Sequence, residues 1–223
     1  MYAKTHDFAL ASCYILFAEM TVRFTIPHST SRVRWFAVHA LCNFVVAMYT
    51  TSAMLRLRNI DENACLPGQD VSPVPIVITV LLHVWHGLVY PLTADDKFHH
   101  LLFIPLIGMP GCVWDWGRCG DAQLWFLNGV PGGSIYTLLA MQKYGMATTI
   151  FEPAFTALVT TFVRLPGGIM AALQLISALR AGKIDVPVLP IILQLTLGPF
   201  NATYYAVSSM RRWFRRVHQD ARR

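Results

Sequence analysis

The chain has 223 residues, of which 13% are charged and 55% apolar. A soluble globular chain carries about a quarter charged residues, so an ordinary water-soluble domain is excluded and lipid is the solvent for most of this one. The formal net charge is +6, and Arg211, Arg212, Arg215, Arg216, Arg222 and Arg223 against Asp220 account for nearly all of it, leaving 12 basic and 11 acidic residues in 1–210. A nucleic-acid binder would spread Lys and Arg over a folded face. Here they gather beyond the last apolar stretch, which suits phospholipid headgroups or an acidic protein neighbour.

About 20 apolar residues cross the roughly 30 Å hydrocarbon core as a helix. Lys4 and His6 precede an apolar run that Glu19 interrupts, with no small-residue cleavage site behind it, so residues 1–31 are expected to be retained rather than removed as a secretory signal. Glu19 and Arg23 stand at i, i+4 and can pair, which makes Phe8 to Val22 a poor first span, as readable as an amphipathic or partly buried helix. Trp35 to Leu55 is uncharged for 21 residues and is bracketed by Arg32, Arg34, Arg56 and Arg58, whose stems can snorkel to the interface. It is a clear span. The connection from Arg56 to Pro73 carries Asp61, Glu62, Asp70, Pro67 and Gly68 and reads as an aqueous loop.

Three further spans are Pro75 to Leu92, Phe98 to Trp114 with Pro105 and Pro110, and Ala122 to Met141, broken at Gly129-Val130-Pro131-Gly132-Gly133. Met146 to Val163 and Leu165 to Leu179 form two short helices or one bent hairpin. Pro187 to Met210 is uncharged for 24 residues, and Pro190 and Pro199 are expected to kink it. The fold class expected is all-α, a polytopic transmembrane bundle of six to eight membrane helices, several broken by Pro and Gly. It divides into an N-terminal amphipathic or first membrane helix (1–31), a membrane domain (32–210) and a basic tail (211–223). Orientation by Lys and Arg rests on that tail.

Cys13, Cys42, Cys65, Cys112 and Cys119 form an odd set with no C-x-x-C pair, which points to neither a disulfide framework nor a zinc ribbon. One internal echo exists: Val130-Pro131-Gly132-Gly133 and Leu165-Pro166-Gly167-Gly168 each lead into an apolar run. They are either two unrelated helix starts, since Pro suits the first turn, or a broken helix whose free N–H groups meet an anionic group at membrane depth.

His39, His83, His86, His99 and His100 fall within or beside apolar segments, where ionisable groups are costly and tend to be functional. His83 and His86 share a face at i, i+3, whereas His99 and His100 point about 100° apart, so only one is expected to enter a common cleft with them. The boxes of a di-iron desaturase, H-x-x-H-H and H-x-x-x-H, are absent, and no metal is expected. A neutral imidazole at His99 or His100, oriented by Asp95 or Asp96, can take a proton from a lipid amine or alcohol. Histidines hydrogen-bonded between helices without chemistry are the alternative.

Arg34-Trp35 with Val38-His39-Ala40, then His83-Val84-Trp85-His86, then Asp95-Asp96-Lys97-Phe98-His99-His100-Leu101-Leu102 resemble the TLC domain, the fold shared by ceramide synthases, translocon-associated membrane proteins and several lipid-regulating proteins. The D-x-x-x-H-H-L lead into a helix is its most specific piece. Leu127-Asn128-Gly129-Val130-Pro131-Gly132-Gly133 resembles a segment of divergent protist and algal members, and Asn201 to Tyr205 lie where such domains carry a polar and aromatic cluster. The resemblance covers about Arg32 to Arg216. It implies a helical bundle with a cavity open to lipid and, in catalytic members, acyl-CoA-dependent N-acylation at the paired histidines. Ceramide synthases add a second acidic element, H-D-x-x-D, that this chain lacks.

The function expected is that of a non-catalytic, lipid-binding accessory component of a larger membrane assembly; the alternative is a lipid N-acyltransferase using acyl-CoA. In the second case His99, His100, Asp95 and Asp96 are catalytic. His39, His83, His86, Gly129, Pro131, Gly132 and Gly133 are expected to line a lipid cavity, and Arg211, Arg212, Arg215 and Arg216 to contact a partner or headgroups. No cofactor is expected beyond bound phospholipid, or acyl-CoA for an enzyme. The partners expected are membrane lipids and other membrane subunits, not nucleic acid, and the membrane is the mitochondrial inner membrane or the endoplasmic reticulum.

Overall fold

The computed structural model describes residues 1–56, 62–68 and 71–222, and among them the chain is all-helical, with no strand. Arg58, Asp61, Asp70 and Arg223 lie outside the described residues. The helices are α1 (Thr5–Thr25), α2 (Ser31–Arg56), α3 (Val74–Val89), α4 (Ala94–Phe103), α5 (Met109–Val113), α6 (Gly117–Leu127), α7 (Gly129–Tyr144), α8 (Phe151–Val159), α9 (Leu165–Arg180) and α10 (Val188–Asp220). Two π turns, Ile104–Gly108 and Thr160–Arg164, join α4 to α5 and α8 to α9.

Among the described residues, three runs are long and apolar enough to cross a membrane: Thr5–Thr25, Ser31–Arg56 and Phe151–Arg180. The first of these bears on the alternatives left open for residues 1–31, an amphipathic or a first membrane helix. Glu19 is 3% exposed, and its carboxylate accepts from Arg23 Nε at 2.7 Å, Trp85 Nε1 at 3.3 Å and Tyr90 Oη at 2.6 Å. A carboxylate with three donors and a cation at i+4 is satisfied inside the bundle, so it does not stop α1 from spanning.

The third run corrects a sequence expectation. Instead of two short helices or a hairpin, the chain continues through a π turn in which Leu165 N–H donates to Thr160 C=O, five residues back. The other π turn has the same i→i+5 bond, from Met109 N–H to Ile104 C=O. Pro105 lies inside one turn and Pro166 just after the other. The wider turn relieves the clash and missing donor that a proline brings to a helix interior. Phe98 to Trp114 is likewise continuous up to Val113, where Trp114 turns extended.

α10 is uninterrupted through Pro199 and carries the basic segment as far as Asp220 in the same helix. Pro187 to Met210 is therefore helical, yet Gln194, Asn201, Tyr204 and Tyr205 leave it less apolar than the three runs above. α6 and α7 are separated only at Asn128.

The first proline-glycine echo stands in the opening turn of α7 and the second runs on from the π turn into α9; both are packing devices. A Cβ on Gly132 would sit 2.8 Å from Asn43 Nδ2, and one on Gly133 would sit 2.8 Å from the Phe44 ring, so glycine lets α7 lie against α2. Gly168 abuts the Ala202 methyl of α10 in the same way.

The main core joins α1, α2 and α3 through Ala11, Ile15, Val38, Val46, Val77, Ile78 and Leu82. At one end of the bundle, Tyr2 N–H bonds Val113 C=O and Cys65 is disulfide-bonded to Cys119 across 54 residues. That pair corrects the sequence reading, which points to no disulfide framework; its two halves meet where the turn before α6 passes the 62–68 segment, with Gly117 at φ +55° against the Ala64 and Leu66 carbonyls. The other end gathers Ser31 and Arg32, the α3–α4 turn, Lys143, Glu152, Arg212 and Arg216.

Candidate functional site

A cavity of about 380 Å³ lies between α2, α3, α4, α7, α8 and α10, and His39, His83, His86, His99 and His100 all line it. It adjoins a vestibule of about 660 Å³ at the basic end of the bundle. Trp35, His86, Asp95, Asp96, Leu139 and Arg212 line both and form the shared mouth.

The rings are held by packing on aromatic partners. His86 stacks on Trp35 at 3.7 Å between centroids, and His39 stacks on Tyr136 at 3.8 Å. His100 reaches His83 at 5.0 Å and His86 at 5.1 Å, while His99 lies 5.1 Å from His83. Both members of the pair thus enter the chamber, against the expectation that one would. The chamber is wide enough to receive side chains that leave α4 in different directions.

A directed hydrogen-bond chain runs through two of these histidines, His83 and His99, to Tyr205. His83 Nδ1 lies 2.6 Å from the Thr79 carbonyl oxygen, which can only accept, so Nδ1 carries the proton. In a neutral ring His83 Nε2 then accepts from His99 Nε2–H at 3.2 Å, and His99 Nδ1 accepts from the Tyr205 hydroxyl at 3.1 Å. One backbone carbonyl sets both tautomers. His100, by contrast, has ring contacts but no hydrogen-bond partner among the described residues, which leaves it available as a base.

Asp96 does not orient an imidazole. Its Oδ2 accepts from Thr93 N at 2.8 Å and from Thr93 Oγ1 at 2.7 Å, and its own N–H returns a bond to Thr93, closing a capping box at the start of α4. Asp95 lies beside it at the mouth without a hydrogen bond to a histidine among the described residues. The orienting role expected of these acids falls to Thr79, His83 and Tyr205.

Of the proline-glycine segment, Gly132 lines the chamber, whereas Gly129, Pro131 and Gly133 do not and pack elsewhere. The basic segment also turns inward. Arg212 donates to Glu152 at 2.6 Å, Arg212 and Arg215 line the chamber, and Arg216 lines the vestibule; Arg211 is exposed and lines neither.

Buried polar atoms without a protein partner concentrate here. Six of them belong to chamber residues: His39 Nδ1, His86 Nδ1, Asn43 Nδ2, Asn201 Oδ1, Arg164 Nε and Arg212 Nε. Buried polar groups in native proteins are almost always paired, so this chamber wall presents donors and acceptors that water or a polar occupant would satisfy. Among the described residues no group of three or more His, Cys, Asp or Glu side chains is arranged to hold a metal ion.

Sequence reasoning missed Arg164, Tyr136, Asn43 and Glu152. A signal existed for Arg164, the one charged residue between Glu152 and Arg180, in a run that proved continuous. No family model, no curated protein and no solved structure matches the chain.

Proposed function

We propose that the protein is an integral membrane protein whose seven helical rods, α1, α2, α3, α4–α5, α6–α7, α8–α9 and α10, all cross the bilayer, and that its chamber binds a lipid by the polar headgroup. The observation that carries this reading is the concentration of unpaired buried donors and acceptors on the chamber wall. The alternation of the rods gathers Arg23, Arg32, Arg34, Lys97, Lys143 and the α10 arginines at one end and the Cys65–Cys119 disulfide at the other. The first suits the cytoplasmic or matrix side and the second an oxidising compartment, and the endoplasmic reticulum and the mitochondrial inner membrane both meet that requirement.

The chemistry that best fits the chamber is acyl transfer from acyl-CoA to a lipid amine or hydroxyl, in keeping with the TLC-domain resemblance. His100 would take the proton from the acceptor N–H or O–H as the new bond to the acyl carbon forms. The C–S bond breaks, and the proton passes to the departing thiolate. The non-catalytic accessory reading has one observation in its favour, the outward exposure of Arg211, Phe214 and Val217 on α10. A photoactivatable short-chain lipid tests the shared claim of binding: crosslinks to chamber residues of α3, α4 and α10 are expected, and crosslinks confined to the lipid-facing surface would contradict it.

A further inference from the structure

We infer that the chamber holds an anion subsite, centred on Arg164 and Tyr205, for the phosphate or carboxylate of a lipid headgroup. This rests on the reading of the chamber as a lipid site and narrows it to a headgroup class. Of the described residues that line the chamber but not the vestibule, the charged ones are Arg164 and Arg215, both cations. The carboxylates near them are engaged or at the mouth: Glu152 by Arg212 and Thr156, Asp96 by Thr93, while Asp95 belongs to the shared rim.

Arg164 is the last residue of the second π turn, and its Cζ lies over the Tyr205 ring, 5.7 Å from the centroid. A guanidinium over an aromatic face keeps its planar fork of N–H donors for another acceptor. Its Nε is buried and unpaired, and no carboxylate pairs with it among the described residues. A cation inside a membrane bundle requires a counter-charge. The protein supplies a positive group, an aromatic rest for it and, from Asn43 at 3% exposure, an unpaired amide donor lining the same chamber. A planar guanidinium matches the paired oxygens of phosphate or carboxylate.

The test uses the full chain in detergent micelles and measures affinity for dioctanoyl phosphatidic acid, for dioctanoylglycerol, which has no phosphate, and for inorganic phosphate. Wild type is expected to prefer phosphatidic acid over dioctanoylglycerol by about tenfold or more, the scale of one charged hydrogen bond. Arg164→Gln should bring the two within about twofold, Arg164→Lys should keep part of the preference, and Arg211→Gln, on the outer surface, should leave it intact. Inorganic phosphate binding as tightly as phosphatidic acid would uphold the subsite and assign it to the free anion, against the lipid reading. Equal binding of the two lipids by wild type would overturn the subsite and spare the lipid reading; binding of none of the three probes would overturn both. The wild-type comparison decides even if Arg164→Gln fails to fold.

Discussion

His99 and Tyr205, 106 residues apart in sequence, meet at 3.1 Å between the imidazole Nδ1 and the phenol oxygen. That contact links α4 to α10 and completes a chain whose direction begins at the Thr79 carbonyl. The orientation of the histidine pair is thereby set by the tertiary structure, with one ring tied into the chain and the other free.

Tyr205→Phe removes the hydroxyl and leaves His99 Nδ1 unpaired. The stability cost is expected to be on the order of 1 kcal/mol, as for a typical hydrogen bond. Because the bond ties His99 beside the His100 base, acyl transfer should fall about 10-fold or more with little change in lipid affinity, a smaller loss than removing a general base outright. Thermal unfolding and turnover measured on the same preparation separate the two effects.

Glu152 and Arg212 should behave as a coupled pair. Glu152 is 1% exposed and accepts from both Arg212 and Thr156, so Glu152→Ala leaves a guanidinium and a hydroxyl without their acceptor. The expected loss is about 2 kcal/mol or more, and Arg212→Ala should cost at least as much because it strands a buried carboxylate without its cation. A double-mutant cycle followed by thermal unfolding in detergent checks the coupling; strictly additive losses would count against the contact.

Much of this architecture is readable from residue order. The arginine-bracketed run in α2, the apolar α3 and the clustering of four histidines on two successive segments all follow from uncharged length and the rarity of imidazole in lipid. The continuity of Phe151–Arg180 and of α10 through Pro199 does not, because a proline stops a helix or sits within one according to whether the next turn can widen and what packs against it. The meeting of Cys65 with Cys119 depends on a turn at Gly117 that local sequence does not announce. Asp96 next to the histidine pair looked like an orienting acid, yet a threonine three residues earlier claims it for a helix cap.

Gly133→Leu should disrupt the bundle. An added Cβ already falls 2.8 Å from the Phe44 ring, and overpacking of this kind typically costs about 1–3 kcal/mol. Gly145→Ala, where nothing lies within 4 Å of the new Cβ but φ is +87°, tests backbone strain alone and should cost less, about 1 kcal/mol. Comparison of the two melting points measures how much of the loss at Gly133 comes from helix packing.

The Asn201-Ala202-Thr203 sequon should remain unmodified, because Asn201 is 6% exposed and faces the chamber from the middle of α10. Glycosidase treatment of the protein expressed in a eukaryotic membrane should leave its gel mobility unchanged.

The most direct measurement is turnover by the purified single chain, given acyl-CoA and a long-chain amine, in wild type and in His100→Ala. The account predicts acylated product from wild type and a loss of about 100- to 10,000-fold in the variant, the range for removal of a general base, with helix content and melting point retained. No product from a folded wild-type chain that binds lipid, or product formation unchanged by His100→Ala, would contradict it.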